Sequence, residues 1–306
     1  MGRSVAFIFP GQGSQRVGML EPLPSSEFAT QLLDHAEAVS GLPLARIAAE
    51  GPAEALADTR AAQPLLFIAD LVWARALAAG GITPVAVAGH SLGEYAALAF
   101  AGVLDDIVAL TLVCERARLM SEVASAAGGT MAAVLGMDRD AVITAVGDLD
   151  GVWVANDNGP GQVVISGTHA GVERAMESLL AAGARRVLPL AVAGPFHSPL
   201  MAHAADAFAP VLAGVTFHDA RVPISQNTDA TPIADATLIR ERLAAQIVSP
   251  VGWTATLHAL AGHGVELLVE CGPGSVLTGI TRRYEGLEGV SAETDGLDRT
   301  VEVVGR

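Results

Sequence analysis

Val85-Ala86-Val87-Ala88-Gly89-His90-Ser91-Leu92-Gly93-Glu94 is an apolar run that ends in a Gly-x-Ser-x-Gly turn, and the alanine-rich Tyr95-Ala96-Ala97-Leu98-Ala99-Phe100 follows at once. That order reads as strand, tight turn and helix, the layout of a nucleophile elbow. A serine on such a turn needs neighbours without a Cβ, so that strand and helix approach closely and Oγ stays exposed. Ser91 would also sit at a helix N-terminus, where free N–H groups and the positive end of the macrodipole favour developing negative charge. With 33 glycines in the chain, Gly-x-Ser-x-Gly arises readily by chance. Strand and helix on the correct sides of it do not.

Composition sets the wider frame. A chain of 306 residues can hold one large or two modest cores. With 51% hydrophobic and 17% charged residues it reads as well packed, not disordered. No uninterrupted apolar run reaches the roughly 18 residues that span a bilayer, and the N-terminus lacks a signal-peptide pattern, so a cytoplasmic protein is expected. A net charge of −15 argues against nucleic acid and anionic membranes as partners. Cys114 and Cys271 suit neither a disulfide framework nor a metal site and read as buried thiols.

Along the chain, Val5 to Phe9 is a buried strand that feeds Pro10-Gly11-Gln12-Gly13-Ser14-Gln15, a glycine-rich loop lacking the later residues of nucleotide motifs. Residues 26 to 48 read as helical, and Pro64 is expected in the first turn of the next helix. After the elbow a long helix is expected from about Leu104 to Ala124. Alternation of this kind predicts a mostly parallel sheet. From about residue 129 the order becomes βαββαβ, which is ferredoxin-like, with Asn156-Asp157-Asn158-Gly159-Pro160-Gly161 as the turn between its middle strands. Pro250-Val251-Gly252-Trp253 is expected to open a helix, Val265 to Glu270 to return as a strand, and the segment beyond Glu285 to be peripheral. The fold class is therefore α/β. An α/β-hydrolase-like large subdomain with a parallel sheet (1–127 and 193–306) would carry an inserted ferredoxin-like small subdomain (128–192).

A serine nucleophile needs a positioned base. His35, His169, His203, His218, His258 and His263 fall in ordinary helix or turn contexts, and His90 lies in the elbow itself. His197 differs, because Gly194-Pro195-Phe196-His197-Ser198-Pro199 stands where the small module rejoins the large one, and ligands bind in such clefts.

With these residues in view, the chain resembles malonyl-CoA:acyl-carrier-protein transacylases and the acyltransferase domains of fatty acid and polyketide synthases. The resemblance is carried by Phe9 to Gln15, Gly89 to Glu94, Arg116 with Met120, Asn156-x-Asn158, Gly194 to Ser198, Gln246 before Ser249-Pro250-Val251, and Gly272-Pro273-Gly274. It implies that Ser91 attacks the malonyl-CoA thioester while His197 takes its proton, and that the phosphopantetheine thiol of an acyl carrier protein then accepts the acyl group. It further implies that the backbone carbonyl of Gln246 orients His197, and that the N–H groups of Gln12 and Leu92 form the oxyanion hole. Arg116 would hold the malonyl carboxylate in a bidentate fork. Phe196 and Leu92 match malonyl-selective members, and His90 and Asn156 fall beside the acyl site. No cofactor or metal is implied, and the family's usual state is a monomer.

Carrier proteins are acidic, as is this chain, so docking needs a local basic patch within the short reach of screened charges. Arg185-Arg186 and Arg282-Arg283 are the candidates. An α/β-hydrolase esterase would also explain the elbow but predicts a carboxylate partner for the histidine and leaves Arg116 and Gln246 idle. A non-catalytic scaffold would need none of Ser91, His197 and Arg116. Fatty acid synthesis, trans-acting polyketide loading and a malonate decarboxylase subunit all remain open as settings.

Overall fold

The structure, a computed structural model, describes residues 3–305. Strand β1 (Val5–Phe9) is buried at every position, and its side chains alternate between two cores: Val5, Phe7 and Phe9 on one side, Ala6 and Ile8 on the other. Both faces being covered explains the unbroken apolar run. Helices α1 (Glu27–Ser40), α2 (Leu44–Glu50) and α3 (Ala53–Ala57) follow. The single helical stretch expected over 26–48 is two helices, because Gly41 adopts a left-handed φ of 69° and ends the first.

Helix α4 (Thr59–Ala79) starts five residues before Pro64. Asp58 caps it by accepting from the Arg60 backbone N–H, so Pro64 lies inside the helix and not in its first turn. Among the described residues α4 is the one helix long and apolar enough to cross a membrane, and 83% of that window is buried inside the protein as a core helix. β2 (Ala86–Gly89) pairs parallel to β1, and α5 (Gly93–Phe100) and α6 (Asp106–Ala127) follow, the last capped by Asp105.

The chain then builds a second sheet from β3 (Gly129–Leu135), α7 (Arg139–Val146), β4 (Val152–Gly159), β5 (Gln162–Thr168), α8 (His169–Ala181) and β6 (Arg186–Pro189). Its antiparallel order β6-β3-β5-β4 is that of a ferredoxin-like module, with a core of its own around Val134, Val163, Ile165 and Leu179. β4 runs on through Asn156, Asp157 and Asn158, so the expected turn shrinks to Pro160-Gly161. Register shifts at Val154/Asn156 and Asp157/Gly159 account for this, since bulges let polar side chains swing off the ladder.

Returning to the large subdomain, α9 (Ala202–Ala213), β7 (Ile224–Ser225) and α10 (Ala236–Ala245) precede β8 (Val251–Gly252). Where a helix was expected from Pro250, β8 adds parallel to β4 and stitches the two subdomains together; α11 (Trp253–Gly262) begins after it. β9 (Leu267–Glu270) and α12 (Val276–Thr281) lead to β10 (Glu288–Ser291), then α13 (Ala292–Asp295) and α14 (Leu297–Val304). The large sheet is parallel throughout, in the order β10-β9-β1-β2-β7. β10 corrects the expectation of a peripheral tail: its residues pair with β9, and Ser291 Oγ donates to the Gly274 carbonyl, holding the Gly272-Pro273-Gly274 loop. Its glycine and glutamate obscure the strand pattern in sequence.

The elbow rests on two glycine contacts. A Cβ on Gly89 would lie 1.9 Å from the Gly93 carbonyl carbon, and one on Gly93 would lie 2.1 Å from the Phe9 carbonyl oxygen. Gly93→Ala should therefore cost about 3 kcal/mol or more through overpacking. Gly262→Ala, with nothing within 4 Å of the new Cβ, should stabilise α11 by up to about 1 kcal/mol. Thermal unfolding of both variants checks this; similar midpoints would refute the close-approach account.

Candidate active site

Ser91 and His197 are the only non-glycine residues with positive φ among those described, at 50° and 55°. Such backbone costs about 1–3 kcal/mol per residue and persists only where surroundings enforce it. Ser91 sits at the turn from β2 to α5, and His197 precedes the 3-10 turn Pro199–Met201. Their side chains meet with Oγ 2.7 Å from Nε2.

The histidine's tautomer follows from its other nitrogen. Nδ1 faces two carbonyl oxygens, Ser249 at 3.1 Å and Gln246 at 3.2 Å, and must be the protonated one. Nε2 then presents its lone pair to the serine hydroxyl. Burial, and next the Arg116 charge, lower the His197 pKa to about 3, with His90 adding to the effect. The imidazole is thus neutral at pH 7 and free to take a proton.

Arg116 comes from α6 and is fully buried, whereas Arg118, two residues on, lies on the solvent face paired with Glu115 and Glu122. Its guanidinium donates to Gln63 Oε1 (2.8 Å), Gln246 Oε1 (3.0 Å) and Ser91 Oγ (3.2 Å), and lies over the Tyr95 ring. Among the described residues Nε has no hydrogen-bond partner and no carboxylate hydrogen-bonds the group. The nearest compensation is Glu94, also buried, whose pKa burial raises while hydrogen bonds and the Arg116 charge oppose the rise. Gln246 serves three ways: its carbonyl takes the His197 proton donor, Oε1 takes Arg116, and Nε2 donates to the Ser91 carbonyl at 2.9 Å.

Gln12 and Leu92 both line the cleft, and neither backbone N–H has an acceptor among the described residues. Gly11 lets the first loop lie on the elbow, since a Cβ there would stand 2.4 Å from the His90 carbonyl oxygen. The His90 side chain points across the cleft to Asn158 Oδ1 at 2.9 Å and lies tilted against the Trp253 ring. Burial lowers its pKa, so it too is neutral. Asn156 reaches His90 only at 3.4 Å and leaves its Oδ1 buried and unpaired. Phe196 lines the same cleft, whose volume is about 400 Å³.

One member of each arginine pair, Arg283 and Arg185, comes to the same turn although the pairs are far apart in sequence. Arg283 Nη1 donates to the Pro160 carbonyl, while Gly136 N donates to Gly161 O and packs on Arg185. All four side chains are exposed and none forms an ion pair among the described residues. Gln162, directly after the turn, lines the cleft.

Sequence reading missed Gln63, Ser249, Glu94 and Asn227. Glu94 carried a usable signal, being an acid at the start of an otherwise apolar helix. Asn227 carried none.

The chain matches the family model described as acyl transferase domain over residues 6–295. It is 43% identical over 286 residues to the malonyl CoA-acyl carrier protein transacylase of Escherichia coli (strain K12), covering 91% of this chain and 92% of that one. The structure of the malonyl CoA-acyl carrier protein transacylase from Coxiella burnetii superposes with a TM-score of 0.94 at 33% identity, covering 100% of this chain and 99% of that one. The solved complex of a type II PKS acyl-carrier protein with its malonyl-transacylase gives 0.91 at 38% identity, covering 98% and 99%.

A depressed histidine pKa widens the active range on the acid side. Labelling of Ser91 by a fluorophosphonate should keep its full rate as pH falls through 6.5, the ordinary imidazole value, and decline only toward about 3. In Arg116→Ala one cause of the depression is gone, so the acid limb should move to higher pH. A wild-type limb centred near 6.5 would contradict the burial argument.

Proposed function

Because the chain belongs to the acyl transferase domain family, we propose that it moves a malonyl group from malonyl-CoA to the phosphopantetheine thiol of an acyl carrier protein through an acyl-serine. The observation that carries this reading is a buried guanidinium that no carboxylate hydrogen-bonds among the described residues, 3.2 Å from the attacking oxygen. A buried cation whose hydrogen bonds go only to neutral acceptors is costly, and the malonyl carboxylate is an anion that would compensate it.

Ser91 Oγ attacks the thioester carbonyl as its proton passes to His197 Nε2. The free N–H groups of Gln12 and Leu92 receive the oxyanion. The C–S bond breaks, and His197 returns the proton to the departing CoA thiolate. The pantetheine thiol then gives its proton to His197 and attacks the acyl-serine, and Ser91 leaves with that proton. Bonds and charges balance across this thioester exchange, so it needs no cofactor. Unpaired Asn156 Oδ1 offers an acceptor to the amide N–H of the incoming arm, and His90 holds the cleft floor. Phe196 crowds the α-carbon, disfavouring branched acyl groups.

The esterase reading predicts a carboxylate on the histidine. Carbonyls of Gln246 and Ser249 stand there instead. The approach of Arg283 and Arg185 to one turn beside the cleft, with exposed Arg282 and Arg186 next to them in the chain, supports docking of an acidic carrier. The solved complex of a type II PKS acyl-carrier protein with its malonyl-transacylase, similar to this chain, supports the same class of partner. A cytoplasmic monomer belongs to this reading.

Intact-mass measurement after mixing with equimolar malonyl-, methylmalonyl- and acetyl-CoA should show one malonyl adduct, absent in Ser91→Ala. Arg116→Ala should lose about 2–5 kcal/mol of transition-state binding, roughly 30-fold to several thousand-fold in malonyl transfer. No adduct, or an acetyl adduct indifferent to Arg116, would reject the substrate. Reversing all four arginines to glutamate should weaken turnover with the carrier and spare self-acylation; equal loss of both would reject the docking face.

A further inference from the structure

Asn227 follows β7 in the chain, carries no signal in sequence, and is 3% exposed. All four of its polar groups are engaged. The side-chain Oδ1 accepts from the Ser91 backbone N–H at 2.7 Å, and Nδ2 donates to the Gly89 carbonyl at 2.6 Å. The backbone N–H donates to Glu94 Oε2 at 2.9 Å, and the backbone carbonyl accepts from Gly252 N at 3.0 Å.

The two side-chain bonds grip the elbow on both sides of His90. They hold the backbone of the one elbow residue whose φ, at 50°, is strained for a side chain. The two backbone bonds reach elsewhere. Glu94, kept in place by Gln226 Nε2 at 2.9 Å, lies on the first turn of α5. Gly252 belongs to β8, which pairs with β4 of the small subdomain and lies three residues after Ser249, an acceptor of His197 Nδ1. One residue therefore ties the nucleophile turn to the segment that orients the base.

We propose that Asn227 is a positioning residue for acyl transfer: its carboxamide, clamped between Ser91 N–H and Gly89 C=O, sets the rotation that aims Ser91 Oγ at His197. The proposal rests on the acyl-serine reading above. Asn227 touches neither reacting atom, and it lies outside the residues lining the cleft. Its loss should slow chemistry without weakening substrate binding, since a displacement of about 1 Å in a reacting group costs on the order of 100-fold.

The test compares wild type, Asn227→Ala, Asn227→Asp and Val172→Ala, the last a destabilising change in the separate core of the small sheet. The readouts are kcat and KM for malonyl-CoA, the rate of Ser91 labelling by a fluorophosphonate, and the thermal midpoint. Asn227→Ala should lower kcat and labelling together by about 100-fold, with KM within about threefold. Asn227→Asp keeps the acceptor for Ser91 N–H but turns an oxygen toward the Gly89 carbonyl, and should lose about tenfold, between the other two. Val172→Ala should lower the midpoint with kcat unchanged. Should Asn227→Ala not fold, Asn227→Asp carries the same comparison. Folded Asn227 variants with wild-type kcat and labelling, or a raised KM at unchanged kcat, would overturn the proposal. A wild type that the probe does not label would overturn the acyl-serine reading itself, and the positioning role with it.

Discussion

Three glycine sites without room for a methyl group bring the ends of β1, β2 and α5 into backbone contact. Gly11 lies on His90, Gly89 on the Gly93 turn, and Gly93 on Phe9. Everything chemical in this protein depends on that contact. It leaves the Gln12 and Leu92 N–H groups without acceptors in the cleft. It also forces Ser91 into a backbone conformation that its neighbours must hold. The strain there and at His197 is offset by the packed sheets on either side, the usual arrangement when a rigid scaffold carries a reactive turn.

The electrostatics follow from burial. His197 and His90 are both held neutral by removal from water, and the carbonyl acceptors on Nδ1 leave one lone pair for the serine. Arg116 keeps its charge, because a guanidinium does not deprotonate in a protein. The result is a site with a neutral base and one cation. That cation is shared between two glutamine oxygens and the serine, partners weaker than a carboxylate. A neutral Gln63 and Gln246 in place of an acid leave the guanidinium open to an anionic acyl group, and an ion pair within the protein would have closed it.

One face of the small sheet has a core of its own, Met131, Ala155 and Val164 join the large core, and the site lies at the seam of the two subdomains. β8 and the side chains of β4 bridge it. Asp157 accepts from Thr254 Oγ1 at 2.7 Å, and Tyr284 donates to the same hydroxyl at 3.2 Å, fixing the edge of the small sheet against α11. The bulges of β4 bring Asn156 and Asn158 to the His90 side of the strand, two residues apart and both buried. An arrangement across such a seam needs several independent ties to stay in register.

The amino-acid sequence by itself determined the elements whose signal is local. Periodicity and breaker residues mark the parallel sheet, the βαββαβ insert and the elbow, because strand, turn and helix propensities act over a few neighbours. The histidine in the Gly-Pro-Phe-His-Ser-Pro loop was legible too, from a rare composition at a module junction. Only tertiary structure decided the rest. β8 and β10 are two and four residues long and owe their existence to a partner strand. Ser249 acts through a carbonyl that every residue possesses, so no residue type could reveal it. Gln63 and Asn227 lie 28 residues before Ser91 and 136 after it, and chain folding alone brings them to the site. Long-range hydrogen bonds leave no periodicity in sequence, which is why the shape could be read there and the orientation of the serine could not.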